Sequence, residues 1–179
     1  MTEEALDRAG RAQGGSLAGT DPEIAGALSL AEIDPDLLEI AKKMGTVYTA
    51  IAAFENSARR FVGKVLLDAH GANWWHTNVS DKIRNPAEAR RKDEEQTRWH
   101  GKRGDDPINY TEMGQLVDIM SQNWVGDFEP HVRRLEWARE LFSAIERSRN
   151  VIMHSGSLEL ADIERLGINM RDWIRQVGG

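Results

Sequence analysis

Apolar side chains recur in steps of three and four from Leu37 through Ile40, Ala41, Met44, Val47, Tyr48, Ile51, Phe54, Ala58, Phe61, Val62 and Val65 to Leu66. That spacing lays one stripe along a helix. Asp34-Pro35 supplies a capping carboxylate followed by a proline suited to the first turn, and Gly71 closes the run, so one helix of about 30 residues and roughly 45 Å is predicted. Trp74-Trp75 begins a short amphipathic piece, and Pro86 is expected to open a polar, largely solvated helix that ends near Trp99. Gly101, Gly104 and Pro107 mark a loop. Thr111 is then expected to cap a helix bearing Met113, Leu116, Val117 and Met120, and Pro130 to stand in the first turn of another. The stripe of that next helix is Val132, Leu135, Ala138, Leu141, Phe142, Ile145 and Ile152. Gly156 reads as its left-handed stop, and Ser157 as the opening of a last helix with Leu160, Ile163, Leu166, Met170, Trp173 and Val177. No stretch shows a strand period. The expected fold is all-α, an antiparallel helical bundle with residues 72–108 as a polar helical excursion at one end.

Residues 1–33 mix Gly, Ala, Ser and acids without a sustained apolar period, so a disordered lead is expected before one helical domain over 34–179. The 179 residues, 40% of them apolar, suffice for one hydrophobic core. With no cysteine, disulfides, thiolate metal sites and cysteine nucleophiles are excluded. An acidic start (Met1-Thr2-Glu3-Glu4) and the lack of any apolar run near the roughly 20 residues of a membrane span give the expectation of a cytoplasmic chain with neither signal nor anchor. The net charge of −6 is unevenly placed. Residues 1–40 hold nine acids against Arg8 and Arg11, whereas residues 82–103 hold eight bases against four acids. A local basic face is thus compatible with an acidic protein.

The chemistry concentrates in Arg149-Asn150-Val151-Ile152-Met153-His154. Arginine neutralises phosphate, and histidine is the side chain that exchanges a proton near neutral pH, so the pair suits cleavage of a phosphodiester. On one helix Asn150 and His154 lie about 40° apart and Arg149 and His154 about 140° apart. The amide could orient the imidazole, while Arg149 would reach round or meet the histidine of a second chain across a two-fold axis. The same residues also fit a plain helix end, with Arg149 paired to an acid such as Glu146. Glu55 and Arg59, four apart on the first long helix, form either an ordinary ion pair or a second contact to phosphate or to His154. Arg98 and Lys102, beside Trp99, His100 and Arg103, fit either a solvated segment or a single-strand RNA contact. Asp68, His70 and His76 match no compact metal site, Ser155 and Ser157 lack a nucleophile elbow, and no phosphate-cradling glycine loop occurs, so neither metal nor cofactor is expected. Most of the six tryptophans are expected in the core or at a dimer interface.

Arg149, Asn150 and His154 resemble the signature of the HEPN superfamily, small all-α proteins defined by Arg-x4-6-His with a polar residue after the arginine. The likeness covers most of the chain after about residue 40. Phe54-Glu55-Asn56 with Arg59-Arg60-Phe61, Trp74-Trp75, Trp99-His100-Gly101, Pro107-Ile108-Asn109-Tyr110 and Asn123-Trp124 resemble a branch also found attached to a eukaryotic nuclear-transcript endoribonuclease. The resemblance implies a homodimer that cleaves RNA without metal at a composite site, in a toxin–antitoxin, phage-defence or RNA-processing setting, with an antitoxin or defence-system protein as partner. It implies equally the alternative of a non-catalytic module that dimerises and binds RNA or nucleotide.

Overall fold

The computed structural model describes residues 21–97 and 99–178, and among them the protein is helical without a strand. It divides into two compact units, residues 1–43 and 44–179. In the first, α1 (Asp21–Ala27) and a tight turn at Leu30–Glu32 bury no side chain. These two pieces are the described part of the lead expected to be disordered, whose residues 1–20 lie outside the described residues. The long helix α2 (Pro35–His70) starts here, as the sequence predicts: Asp34 Oδ1 accepts the Asp36 N–H at 2.9 Å, and Pro35 is the first helical residue.

In the second unit, α2 buries Met44, Val47, Ile51, Phe54, Ala58, Val62 and Leu66, part of the predicted stripe, whereas the stripe members Leu37, Ile40, Ala41 and Tyr48 are exposed. It is followed by α3 (Trp74–Asn78), α4 (Asp81–Gln96), a tight turn at Pro107–Tyr110, α5 (Met113–Gln122), α6 (Leu135–Met153) and α7 (Leu160–Val177). α5 packs on α6, α6 on α7, and α4 on the Pro107–Tyr110 turn, so the polar excursion is tied back to the bundle. Trp173 of α7 is the hub of the core. It is fully buried, with its ring centroid 4.8 Å from Phe142, 5.6 Å from Phe61 and 6.3 Å from Phe54, and stacked on Trp137 at 6.2 Å. Trp75 is also buried, whereas Trp99 is 86% exposed. No helix among the described residues is long and apolar enough to cross a membrane.

Several helix ends differ from the sequence expectation, each because a local hydrogen bond outweighs the residue that looked like punctuation. Pro86 lies inside α4: the helix starts five residues earlier, with the Ser80 carbonyl accepting from Ile83 and Arg84 at 3.0 and 2.9 Å. It ends at Gln96, before Trp99, and it is not merely solvated, since Ile83 and Ala87 are buried. Thr111 does not cap α5. Its buried hydroxyl donates to the Ile108 carbonyl at 2.7 Å, and Glu112 is the cap, in a reciprocal box with Gln115. Pro130 falls in a turn ahead of α6, where the Val132 N–H bonds the Phe128 carbonyl at 2.9 Å. Ser157 likewise precedes α7 within a loop, and Glu159 takes the cap position.

Candidate functional site

The C-terminal turn of α6 carries the Arg149–His154 run. His154 is the helix's last cap residue, its N–H donating to the Asn150 carbonyl at 3.1 Å. The Ser155 N–H bonds the Ile152 carbonyl at 2.9 Å and the Gly156 N–H bonds the Val151 carbonyl at 2.8 Å, a doubly closed terminus. The left-handed residue is Ser155 (φ 60°), not Gly156 as the sequence suggested. Gly156 is needed for a different reason: a Cβ there would lie 2.7 Å from Val151 Cγ1 and 2.8 Å from its carbonyl oxygen. His154 and Asn150 are both exposed, and neither the imidazole nor the carboxamide is hydrogen-bonded to a described group. The contact between the two residues runs through backbone.

Arg149 faces α2 instead. Its Nε lies 3.5 Å from Oε2 of Glu55, a carboxylate at 9% exposure on the core side of α2. Glu55 Oε1 in turn accepts from Arg59 Nη2 at 2.5 Å. Arg59 Nη2 also donates to the Thr111 carbonyl at 3.0 Å and Arg59 Nη1 to Asn56 Oδ1 at 3.3 Å. The structure therefore brings together Glu55, Arg59 and Arg149, three of the residues singled out in the sequence, across two helices and the turn before α5.

Two further charges, Arg90 and Glu146, are held by nearby backbone and side chains. Arg90 donates to the Tyr110 carbonyl at 2.8 Å and to Glu112 Oε1 at 2.6 Å. Glu146, one turn before Arg149 on α6, sits against Gly114 of α5. Burial pushes the Glu146 carboxyl above the ordinary carboxylate range; Glu112 and Glu55 add to the rise and Arg149 opposes it. Glu146 would have been the plain helix-end partner of Arg149, yet the ion pair that forms is with Glu55. A helix-periodic reading could have found Glu55 as a charge on the apolar stripe of α2; the partner 94 residues away could not be read.

Lys102 stands apart from this cluster. It is exposed and lines a cleft of about 650 Å³ with Glu94, Thr97, His100, Gly101 and Arg103. Arg98, the other candidate RNA contact there, lies outside the described residues. Part of the basic stretch is engaged with nearby acids: Arg84 pairs with Asp81, Arg91 with Glu95 at 3.2 Å, and Arg103 with Glu94 at 2.7 Å. Among the described residues no group of three or more His, Asp or Glu side chains is placed to hold a metal ion, and His70 is instead paired with Asp127 at 2.7 Å.

An all-α domain whose third long helix ends in Arg-Asn-x3-His defines a class of helical bundle built around a helix-end polar motif. The chain belongs to the Swt1-like HEPN family, whose model matches residues 49–178. The match covers α2 from its middle to the end of α7 and so includes every residue of the site just described. No curated protein and no solved structure matches the chain.

Proposed function

We propose that this protein is a metal-independent endoribonuclease, acting as a homodimer in the cytoplasm, in which His154 moves the proton, Arg149 stabilises the phosphate and Asn150 orients the imidazole. The observation that carries this reading is the end of α6. An exposed, unengaged imidazole and an exposed carboxamide share one turn with an arginine anchored from behind by a buried carboxylate. Side chains left without a partner at a rigid, doubly bonded helix terminus are available to a ligand. Family membership points to RNA as that ligand or to a nucleotide.

In this mechanism His154 accepts the proton of a ribose 2′-hydroxyl as its oxygen attacks phosphorus. The O2′–P bond forms and the P–O5′ bond breaks, the departing oxygen taking up a proton, which leaves a 2′,3′-cyclic phosphate and a 5′-hydroxyl. Arg149 supplies positive charge as it builds on the pentavalent phosphate oxygens. Arg149 and His154 diverge around α6, so we place the arginine of one chain beside the histidine of another. Val151 and Met153, at 40% and 53% exposure, flank His154 in the sequence of α6 with apolar surface suited to such pairing. Lys102 and Arg98 would add contacts to single-stranded RNA outside the centre. A toxin or phage-defence role, with an inhibitory partner protein, is the setting we propose for such an activity.

The test is cleavage of single-stranded RNA and tRNA in excess EDTA by the wild type and by His154→Ala. Cleavage by the wild type and a loss of at least about 100-fold in the variant is the expected result. RNA bound but left intact by both would assign the domain to the non-catalytic, RNA- or nucleotide-binding class.

A further inference from the structure

Glu55 has no role in the chemistry just described, yet it is the least expected side chain in the molecule. It occupies the stripe of α2 shared by Ile51, Ala58 and Val62, and it is as buried as Val47. A carboxylate taken out of water is costly unless its oxygens are matched. Oε1 accepts a hydrogen bond from Arg59 and Oε2 has the Arg149 guanidinium in ion-pair range, and the two arginines differ in what they keep free. Arg59 commits both terminal nitrogens, Nη2 to Glu55 and the Thr111 carbonyl, Nη1 to Asn56. Arg149 is held only at its inner edge, where Nε lies 3.5 Å from Glu55 Oε2 and is itself fully buried without a hydrogen-bond partner. Its terminal nitrogens bond no described group, and the side chain keeps 34% of its surface open.

We propose that Glu55 is a positioning residue: it holds the Nε edge of Arg149 so that the two terminal nitrogens present a fixed fork to phosphate oxygens, while Arg59 braces Glu55 and does not touch RNA. The arrangement follows from guanidinium geometry. Five donors lie in one plane, so a carboxylate on one edge sets the direction of the others. An unanchored arginine on the last turn of α6 would sample many rotamers, and each productive encounter with phosphate would require ordering it again. Arg59 is a poor phosphate ligand for the converse reason, since binding RNA would mean breaking bonds to Glu55, Thr111 and Asn56 together. The catalytic consequence rests on the endoribonuclease reading; the anchoring itself does not.

Two measurements on the full chain decide the matter. The first is solvent exchange of arginine Nε–H protons by NMR, with the Arg149 signal identified by its absence in Arg149→Ala. Protection of the Arg149 signal by at least about tenfold over exposed arginines, lost in Glu55→Gln, is the expected result. An Arg149 Nε–H that exchanges as fast as a free guanidinium in the wild type overturns the proposal even if the Gln variant fails to fold. The second is kinetic. Glu55→Gln should lower kcat about tenfold or more with KM changed less than about twofold, and should have no further effect in an Arg149→Lys background, which keeps a positive charge but has no Nε edge for Glu55 to hold. Losses that add in the double variant, or a change confined to KM, would also overturn it. Should the wild type leave RNA intact, the endoribonuclease reading fails, and the exchange measurement still decides whether Glu55 anchors Arg149.

Discussion

At the residue scale the site is a division of labour among charges. His154 and Asn150 are left open to solvent, while Arg149 is drawn back toward α2 by Glu55. His154→Ala removes an exposed side chain with no hydrogen bond or ion pair to a described group, so its thermal stability should stay within about 0.5 kcal/mol of wild type while cleavage is lost. A fall in Tm of more than a few degrees would give His154 a structural role instead. Glu146 supplies a pH prediction. Its carboxyl is raised by burial, so between the ordinary carboxylate value and its raised one the folded state holds the proton that the unfolded chain has released. Stability from this group is complete below the unfolded value and is lost as pH rises through the folded one. Glu146→Gln should therefore gain in Tm relative to wild type as pH rises from 4 toward 7, a trend that paired thermal melts would check. A constant difference across that range would show that Glu146 titrates alike in both states.

Residue spacing made Arg149, Asn150 and His154 legible, because the three fall within six consecutive residues at one helix end. The pairing of Glu55 with Arg149 was not legible, because it depends on how α2 and α6 pack. Arg59 shows the same limit from the other side. Its spacing to Glu55 announces a pair, but the carbonyl of Thr111 that completes its coordination belongs to a turn whose conformation no periodicity encodes.

At the scale of elements, the apolar stripes of α2, α5, α6 and α7 were legible because each repeats over several turns and its inner members are buried, although Leu37, Ile40 and Tyr48 on α2 and Leu160 on α7 stay exposed. Their ends were less so. Gly156 looked like the left-handed residue that closes α6, yet Ser155 holds that conformation and Gly156 serves close approach to Val151. Two consequences follow for the terminus that carries His154. Ser155→Gly relieves a left-handed side-chain residue and should stabilise the fold by about 1 kcal/mol. Gly156→Ala forces a Cβ against the Val151 carbonyl and should destabilise it by about 1–3 kcal/mol. Chemical denaturation of both variants would check the opposite signs, and two shifts of like sign would mean that the terminus is not held as described.

At the scale of the whole molecule, the core of residues 44–179 turns on Trp173, which joins α2, α6 and α7 through Phe54, Phe61, Trp137 and Phe142. Trp173→Ala should cost about 3–5 kcal/mol, read as a drop in the denaturation midpoint with little change in slope. A cost near zero would place the hub elsewhere. That a tryptophan on the α7 stripe would be buried was readable from its spacing to Met170 and Val177; that it would be the meeting point of three helices was not.

Assembly is the remaining feature of the whole-molecule account. If each site takes its arginine from one chain and its histidine from the other, mixing inactive Arg149→Ala and His154→Ala proteins should restore about a quarter of wild-type cleavage after subunit exchange. No recovery after verified exchange would confine each site to one chain.

The most direct measurement of the central claim is the chemistry of the RNA ends left by wild-type protein in excess EDTA. The account predicts 2′,3′-cyclic phosphate and 5′-hydroxyl ends, produced by the wild type and absent with Arg149→Ala and with His154→Ala. Ends of 3′-hydroxyl and 5′-phosphate, or cleavage that persists in either variant, would contradict it.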